Sequence, residues 1–445
     1  MSSGGEVNSR KSFLTFDFII ILMVLCLSVI SVCFIYSSGL NSEGVNTSIE
    51  FIKQIIWVVT GLILMTLVIY IDYKYLYDFA YYIYGVCILM LLITLLVGNK
   101  VNGARSWLGL PGVGIQPSEF AKLGTIIALS AFCTKNRENI RSFGVFIRAA
   151  MITIAPMVLV LAQPDLGTSL VYIPIFLVIL FMAGAKIRYL FFLVACGICV
   201  TLFTIIPMWS GYILKKETFF VAVFSNQLLM LAVLGACLLI VILSAVGWFV
   251  FKKGLYYWTG YSFVILSLSL FMAMLAQKIL KAYQIMRLVV FLDPSVDPQG
   301  AGWNILQSLT AIGSGGLTGK GFLQGTQSHY NYLPQQSNDF IFSIIAEEIG
   351  FLGGMVVFAC FFILIIRGFI IANSSKDAFG SYLCFGIIAM IFFHFVVNIG
   401  MAMGIMPITG IPLLFLSYGG SSLWTSMMAV GILINVYYRR YGFKI

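Results

Sequence analysis

Charge is what this chain has least of. Only 9% of its 445 residues are Asp, Glu, Lys or Arg, against 61% hydrophobic. A soluble surface normally carries about a quarter of its residues as charges, so a water-soluble fold is excluded. Histidine is scarcer still: His329 and His394 are too few for a histidine metal centre. No polar stretch is long enough to form a soluble domain. No basic segment is dense enough to track phosphates, so the net charge of +10 does not describe a nucleic-acid surface. All nine cysteines fall in or at the ends of apolar runs, where a thiol behaves as a small hydrophobe. That leaves no disulfide framework, and Cys196-x-x-Cys199 lacks the second pair of a metal motif.

Hydrocarbon, by contrast, is abundant. Apolar runs of about 20 residues match the thickness of a bilayer core. Twelve are predicted, at 17–36, 52–71, 76–98, 119–134, 146–163, 167–185, 188–208, 226–251, 260–279, 340–366, 378–402 and 411–437. The expected fold is an all-α polytopic membrane protein, one integral membrane domain over 1–445. No internal repeat stands out, which weighs against an inverted-repeat transporter. Placing both termini in the cytoplasm puts 16 Lys and Arg inside and nine outside. That is the bias the positive-inside rule demands. The external segments are then 37–51, 99–118, 209–225, 280–339 and 403–410, with a short corner at 164–167.

Polar residues concentrate near that external face. Glu119 and Lys122 lie three apart, on one helix face. Ionisable groups at membrane depth need a partner or a wet cavity. Arg105 and Lys100 run against the charge bias, so something other than topology keeps them in 99–118. Ser118 is expected to N-cap the helix that carries Glu119, and Asp165 the helix that follows Gln163-Pro164. Asp339 is a candidate cap for the tenth run. Glu347 and Glu348 fall inside that run and should face a polar interior or a basic partner.

The longest external segment, 280–339, holds Asp297 between prolines and glycines, on rigid turn chemistry rather than a mobile helix side. Long loops in compact chains are usually functional. A lone external Asp is ordinarily just solvated, but this one is flanked by Arg287, Asp293, Gln307, Ser308 and Lys320. A partly desolvated carboxylate suits a general base, and neighbouring Arg or Lys suits a phosphate-type leaving group. The stretch Gly313–Gly321 superficially resembles a P-loop. It fails the pattern: Ser314 stands where the first Gly belongs, and Gly321 where a magnesium-binding Ser or Thr belongs. Nucleotide binding is rejected.

Taken together, these segments resemble the SEDS family (shape, elongation, division and sporulation). The matching residues are Asn102–Trp107, Gln116–Lys122, Gln163–Thr168, Phe291–Asn304, Gln307-Ser308 with Ala311–Gly316, Gly325–Ser328, Asp339–Phe342, Glu347-Glu348, Pro407–Pro412 and Ser417–Ser421. They run in order along nearly the whole chain. The resemblance implies a peptidoglycan glycosyltransferase that polymerises lipid II on the outer face of the cytoplasmic membrane. Its catalytic residue would be Asp297, the Asp of the Asp-Pro-x-Gly-x-Gly pattern, with Asp293 ranked lower. Substrate-binding candidates are Arg105, Trp107, Glu119, Lys122, Asp165, Gln307, Ser308 and Lys320.

No cofactor-binding motif is recognisable, and a divalent cation on the pyrophosphate is compatible with this chemistry. The implied partners are a class B penicillin-binding protein (a transpeptidase), the cell-elongation machinery and the lipid II substrate, with no nucleic acid. Phe291-Leu292-Asp293-Pro294 and Gly325–Ser328 favour the elongation branch over the division branch. Three departures from the family pattern stand out. Twelve runs exceed the family's usual ten, so an inserted helical hairpin is expected within 209–260. Gln335, Ser337 and Asn338 replace Glu, His and Thr, and Trp303 replaces Tyr. The rivals are a lipid II flippase, which should need charges deep on both sides of the bilayer, and a non-catalytic scaffold, in which Asp297 would be dispensable.

Overall fold

The computed structural model describes residues 17–41, 43–101, 104–110, 113–209, 224, 226–279, 282–330 and 332–440. Residues 1–11, Asn102, Gly103, the Lys100 side chain and nearly all of the predicted external segment 209–225 lie outside the described part.

In lipid every backbone N–H and C=O must be satisfied within its own segment, so apolar runs become helices. The helices are α1 (Phe18–Ser38), α2 (Glu50–Tyr70), α3 (Tyr73–Asp78), α4 (Ala80–Val97), α5 (Pro117–Lys135), α6 (Phe143–Ala162), α7 (Leu166–Ala183) and α8 (Ile187–Trp209). They continue with α9 (Gln227–Phe251), α10 (Gly254–Ile279), α11 (Ala282–Leu292), α12 (Ala301–Gly315), α13 (Thr326–His329), α14 (Ile341–Ser374), α15 (Ala378–Ala402) and α16 (Gly420–Arg439).

Each of the twelve predicted runs falls on a helix, and ten of these helices are long and apolar enough to cross a membrane. The two below that standard are α5, which carries Glu119, Lys122 and Lys135, and α16, rich in Ser and Thr. Both are sheathed by protein: Ala121–Cys133 of α5 and Met427, Ala429–Val436 of α16 are buried. Protein neighbours can satisfy polar groups that lipid cannot.

The chain forms two compact units, Met1–Ala185 with Gln307–Ile445, and Lys186–Leu306. In the first, α16 packs along α2, α14 against α1, and α15 against α14, α7 and α5. Helix α15 is its centre, with 72% of its membrane window buried. In the second, α9 and α10 form a hairpin closed by Lys252-Lys253, and α8 packs on α10 and α11. Met230, Cys237, Leu270 and Ala273 form its core.

Three predicted segments differ from the structure. Residues 99–118 are not a plain loop but an antiparallel sheet, β1 (Asn99–Val101), β2 (Ala104–Leu110) and β3 (Val113–Ile115), in the order β1-β2-β3. The segment 280–339 is largely helical, holding α11, α12 and α13. The last run becomes helix only at Gly420. Before it, Leu413, Leu414, Phe415 and Leu416 thread the core at 1% exposure or less. Such irregular backbone is tolerated at membrane depth because protein surrounds it.

Candidate active site

Helix α11 ends at Leu292, and Asp293 turns the chain. Its Oδ1 accepts from Ser295 N at 2.9 Å and Ser295 Oγ at 2.5 Å, capping a single 3-10 turn, Pro294–Val296. The Ser295 hydroxyl, with help from the Ser295 N–H, holds the Asp293 carboxyl below the usual carboxylate range. Half-buried Asp297 comes next. Its carbonyl accepts from Gly300 N at 3.3 Å and Gly302 N at 3.0 Å, which launches α12.

The glycine spacing is steric. A Cβ on Gly300 would sit 2.2 Å from Asp297 Oδ2 and 2.6 Å from Oδ1. One on Gly302 would sit 2.3 Å from the Pro294 carbonyl oxygen and 2.6 Å from that of Asp297. Thus the Asp-Pro-x-Gly-x-Gly pattern is one object: Gly300 leaves room for the Asp297 carboxylate, and Gly302 for the backbone carbonyls of Pro294 and Asp297.

In the first unit α5 opens at Pro117 with Gln116 as its N-cap, not Ser118. Proline at the first helical position is already set for the helix, so Ser118 falls inside the first turn and is buried. Gln116 gathers two other segments: its N–H donates to Ser421 Oγ at 2.9 Å and its Nε2 to Asp165 Oδ2 at 3.3 Å. Asp165 caps α7 as expected, accepting from Thr168 N at 3.0 Å and Thr168 Oγ1 at 2.8 Å. Gly167 lies so close to the 407–412 segment that a Cβ would be 2.3 Å from the Thr409 carbonyl oxygen. Four stretches distant in sequence therefore meet at one place.

Beneath them, Lys122 Nζ lies 2.8 Å from Glu119 Oε2, 2.9 Å from Oε1 and 3.0 Å from His394 Nε2. All three residues are at most 1% exposed. His394 Nδ1 is 2.9 Å from the Pro412 carbonyl oxygen. That carbonyl can only accept, so Nδ1 carries the proton and Nε2 receives the Lys122 ammonium. The pair predicted on the α5 face is thus a buried triad that ties α5, α15 and the 407–412 segment together. Its third member went unforeseen; the available signal was a lone polar ring in a 25-residue apolar helix.

The expected partner for the acidic pair is present. Glu347 Oε1 accepts from Lys320 Nζ at 2.7 Å, Thr326 N at 2.9 Å and Gln327 N at 3.1 Å. Glu348 accepts from Leu323 N at 3.1 Å and from the Ser37 hydroxyl. The two carboxylates therefore strap residues 320–327 onto a break in α14, where Gly350 has φ 71°. Gly315 and Gly319 allow the contact: a Cβ on them would meet the carbonyl oxygens of Ala346 at 1.9 Å and Glu348 at 2.0 Å. Two glycines of the stretch that superficially resembled a P-loop, Gly315 and Gly319, are packing surfaces. His329 lies at the edge of the strap, 3.9 Å from Glu348. Burial pushes its imidazole below the ordinary histidine value, against a smaller upward pull from Glu347.

The remaining candidates are dispersed. Arg105 is exposed on β2, opposite Lys100 in the strand register, and Trp107 is half-buried on the same strand. Gln307 is half-buried. Ser308 is fully buried, its hydroxyl within 2.6 Å of both Ser343 Oγ and the Ala402 carbonyl oxygen, which makes it a bolt between α12, α14 and α15. Asp339 is not the cap of α14; the N-cap is Phe340, with no side-chain bond. The Asp339 carbonyl instead accepts from Asn398 Nδ2 at 2.9 Å.

These motifs belong together in a known family. Residues 17–228 and 212–442 match the cell cycle protein family of FtsW, RodA and SpoVE, and the chain belongs to it. It is 45% identical over 421 residues to the peptidoglycan glycosyltransferase RodA of Treponema pallidum (strain Nichols), covering 95% of this chain and 97% of that one. It is 33% identical to stage V sporulation protein E of Bacillus subtilis (strain 168), over 96% and 98% of the two chains. The fold is similar to a chain of a peptidoglycan synthase complex that coordinates polymerization and crosslinking, with TM-score 0.67 and 25% identity, covering 96% and 99%. The chain is a multi-pass membrane protein of this class.

Proposed function

We propose that this protein is a peptidoglycan glycosyltransferase that joins lipid II units into glycan strands on the outer face of the cytoplasmic membrane during cell elongation. The observation that carries the reading is the Asp297 carboxylate seated against Gly300, on a turn whose backbone packs against Gly302. That arrangement fixes the acid on a turn rather than on a mobile helix side. The 45% identity to a peptidoglycan glycosyltransferase supports the same activity.

Asp297 takes the proton of the acceptor sugar's 4-hydroxyl as that oxygen attacks the donor's anomeric carbon. The donor's bond to undecaprenyl pyrophosphate breaks, and the pyrophosphate carries the leaving charge away. Exposed Arg105 is assigned to that charge, whereas Lys122 is already engaged by Glu119 and His394, and Lys320 by Glu347. Any divalent cation accompanies the pyrophosphate as part of the substrate. Trp107 and Gln307 are assigned to the sugars, while Glu119, Lys122, Asp165 and Ser308 hold the elements that present them. The natural partner is a class B penicillin-binding transpeptidase, which cross-links the strands, together with the cell-elongation machinery.

The test is to give the purified protein, with its cognate transpeptidase, lipid II in detergent and to resolve products by gel. Glycan strands are expected. Absence of strands, with lipid II instead crossing the bilayer of reconstituted vesicles, would favour a flippase.

A further inference from the structure

The hairpin formed by α9 and α10 has no part in the chemistry above, yet one end of it is strongly cationic. Four cations gather there: Lys186 and Arg188 at the start of α8, and Lys252 and Lys253 in the turn between α9 and α10. All four are exposed. Arg188 is held in place rather than waving in solvent. Its guanidinium lies 5.1 Å from the Trp258 ring centre and 5.5 Å from that of Tyr257. Its carbonyl accepts from the Tyr261 hydroxyl at 2.7 Å. Lys186 lies over Tyr189 at 5.8 Å.

Among the described residues no ion pair answers this charge. Between Ala185 and Asp293 the sequence has one acidic residue, Glu217, in the segment predicted on the opposite face. Directly beside the cations the surface is apolar: Phe249 is 73% exposed and Leu255 70%. A cationic rim bordering an exposed hydrocarbon face fits a molecule with an anionic head and acyl tails.

We infer that the turn end of this hairpin is a binding site for an anionic phospholipid headgroup, with Arg188, Lys252 and Lys253 holding the phosphate and the flanking apolar residues contacting the tails. Positive-inside topology explains why basic residues lie on this face. It does not explain why Arg188 is fixed on two aromatic rings next to the Lys252-Lys253 turn. Stacking leaves the guanidinium edge free for bidentate phosphate contact, and the rings suit the interfacial depth.

The experiment uses the full-length protein, purified and delipidated, with native mass spectrometry of retained phosphatidylglycerol against phosphatidylcholine. At about fivefold in affinity for each cation that holds the bound phosphate, R188Q/K252Q/K253Q should retain roughly a hundredfold less phosphatidylglycerol. A control with the same charge loss on the same predicted face, K135Q/R137Q/R141Q, should retain it as the wild type does. Single K253Q, in an exposed turn, should lose about fivefold and serves if the triple variant does not fold. Equal losses in the two triple variants would reduce the site to general surface charge and overturn the inference. So would phosphatidylcholine retained equally, or displacement by inorganic phosphate alone at millimolar concentration.

Discussion

Replacing Gly300 with Ala would move the proposed catalytic group without touching it. The new methyl would lie 2.2 Å from Asp297 Oδ2, 2.6 Å from Oδ1 and 2.7 Å from Cγ. Ordinary contact begins at 3.4 Å, so the carboxylate must retreat by about 1.2 Å (3.4 − 2.2). It can do so by rotating its own side chain, and the backbone at Gly300 is not in the left-handed region. The fold should therefore survive with a melting temperature close to wild type. The chemistry should not. A displacement of about 1 Å costs on the order of a hundredfold in rate, or about 2.7 kcal/mol at 1.36 kcal/mol per tenfold.

The assay is initial-rate glycan polymerisation from purified lipid II with the partner transpeptidase, alongside thermal melting. The expected result is a kcat about a hundredfold lower with KM little changed. A folded Gly300→Ala protein polymerising at the wild-type rate would refute the reasoning, because the carboxylate position would then not matter.

Other consequences follow from the same geometry. Glu119→Gln leaves the Lys122 ammonium buried without its carboxylate and should cost about 3–5 kcal/mol in stability, measurable as a lower melting temperature; Glu119→Gln with Lys122→Met should recover most of it. Gly350→Ala forces a side chain into φ 71° and against Gly319 N at 2.3 Å. It should lower stability by about 3 kcal/mol or more and loosen the 320–327 strap, read as faster proteolysis there. Folding holds His329 neutral by depressing its pKa. Its contribution to stability is therefore present above the ordinary histidine value of about 6.5 and lost as pH falls below it towards the folded value. Melting temperature should decline over that window, and His329→Gln should flatten the decline.

Helices were legible because hydrocarbon thickness demands long apolar runs and leaves few alternatives. The Asp165 cap was legible for a similar reason: an acid just before an apolar run has one obvious use. Ser118 misled because Pro117 can itself begin a helix, which moves the cap back to Gln116. The sheet at 99–115 was hidden by its glycines and its short strands, which show no clear alternation. In 280–339 the polar composition read as loop, whereas amphipathic α11 and α12 need only one apolar face each. Glu347 and Glu348 were visible as misplaced charges. Their partners could not be seen, since Lys320 reaches Glu347 only after Gly315, Gly319 and Gly350 bring two backbones into contact. His394 stood out as a polar ring in an apolar helix, but its partner could not be seen for the same reason: Lys122 is 272 residues away.

The central claim is that Asp297 performs the proton transfer, and one substitution addresses it. Asp297→Asn keeps the size of the side chain and removes its capacity to act as a base. The measurement is strand formation from lipid II by the purified variant with its transpeptidase, on protein whose melting temperature matches wild type. The account predicts loss of at least about a hundredfold, the low end of what a positioned general base supplies. Strand formation at the wild-type rate would contradict it.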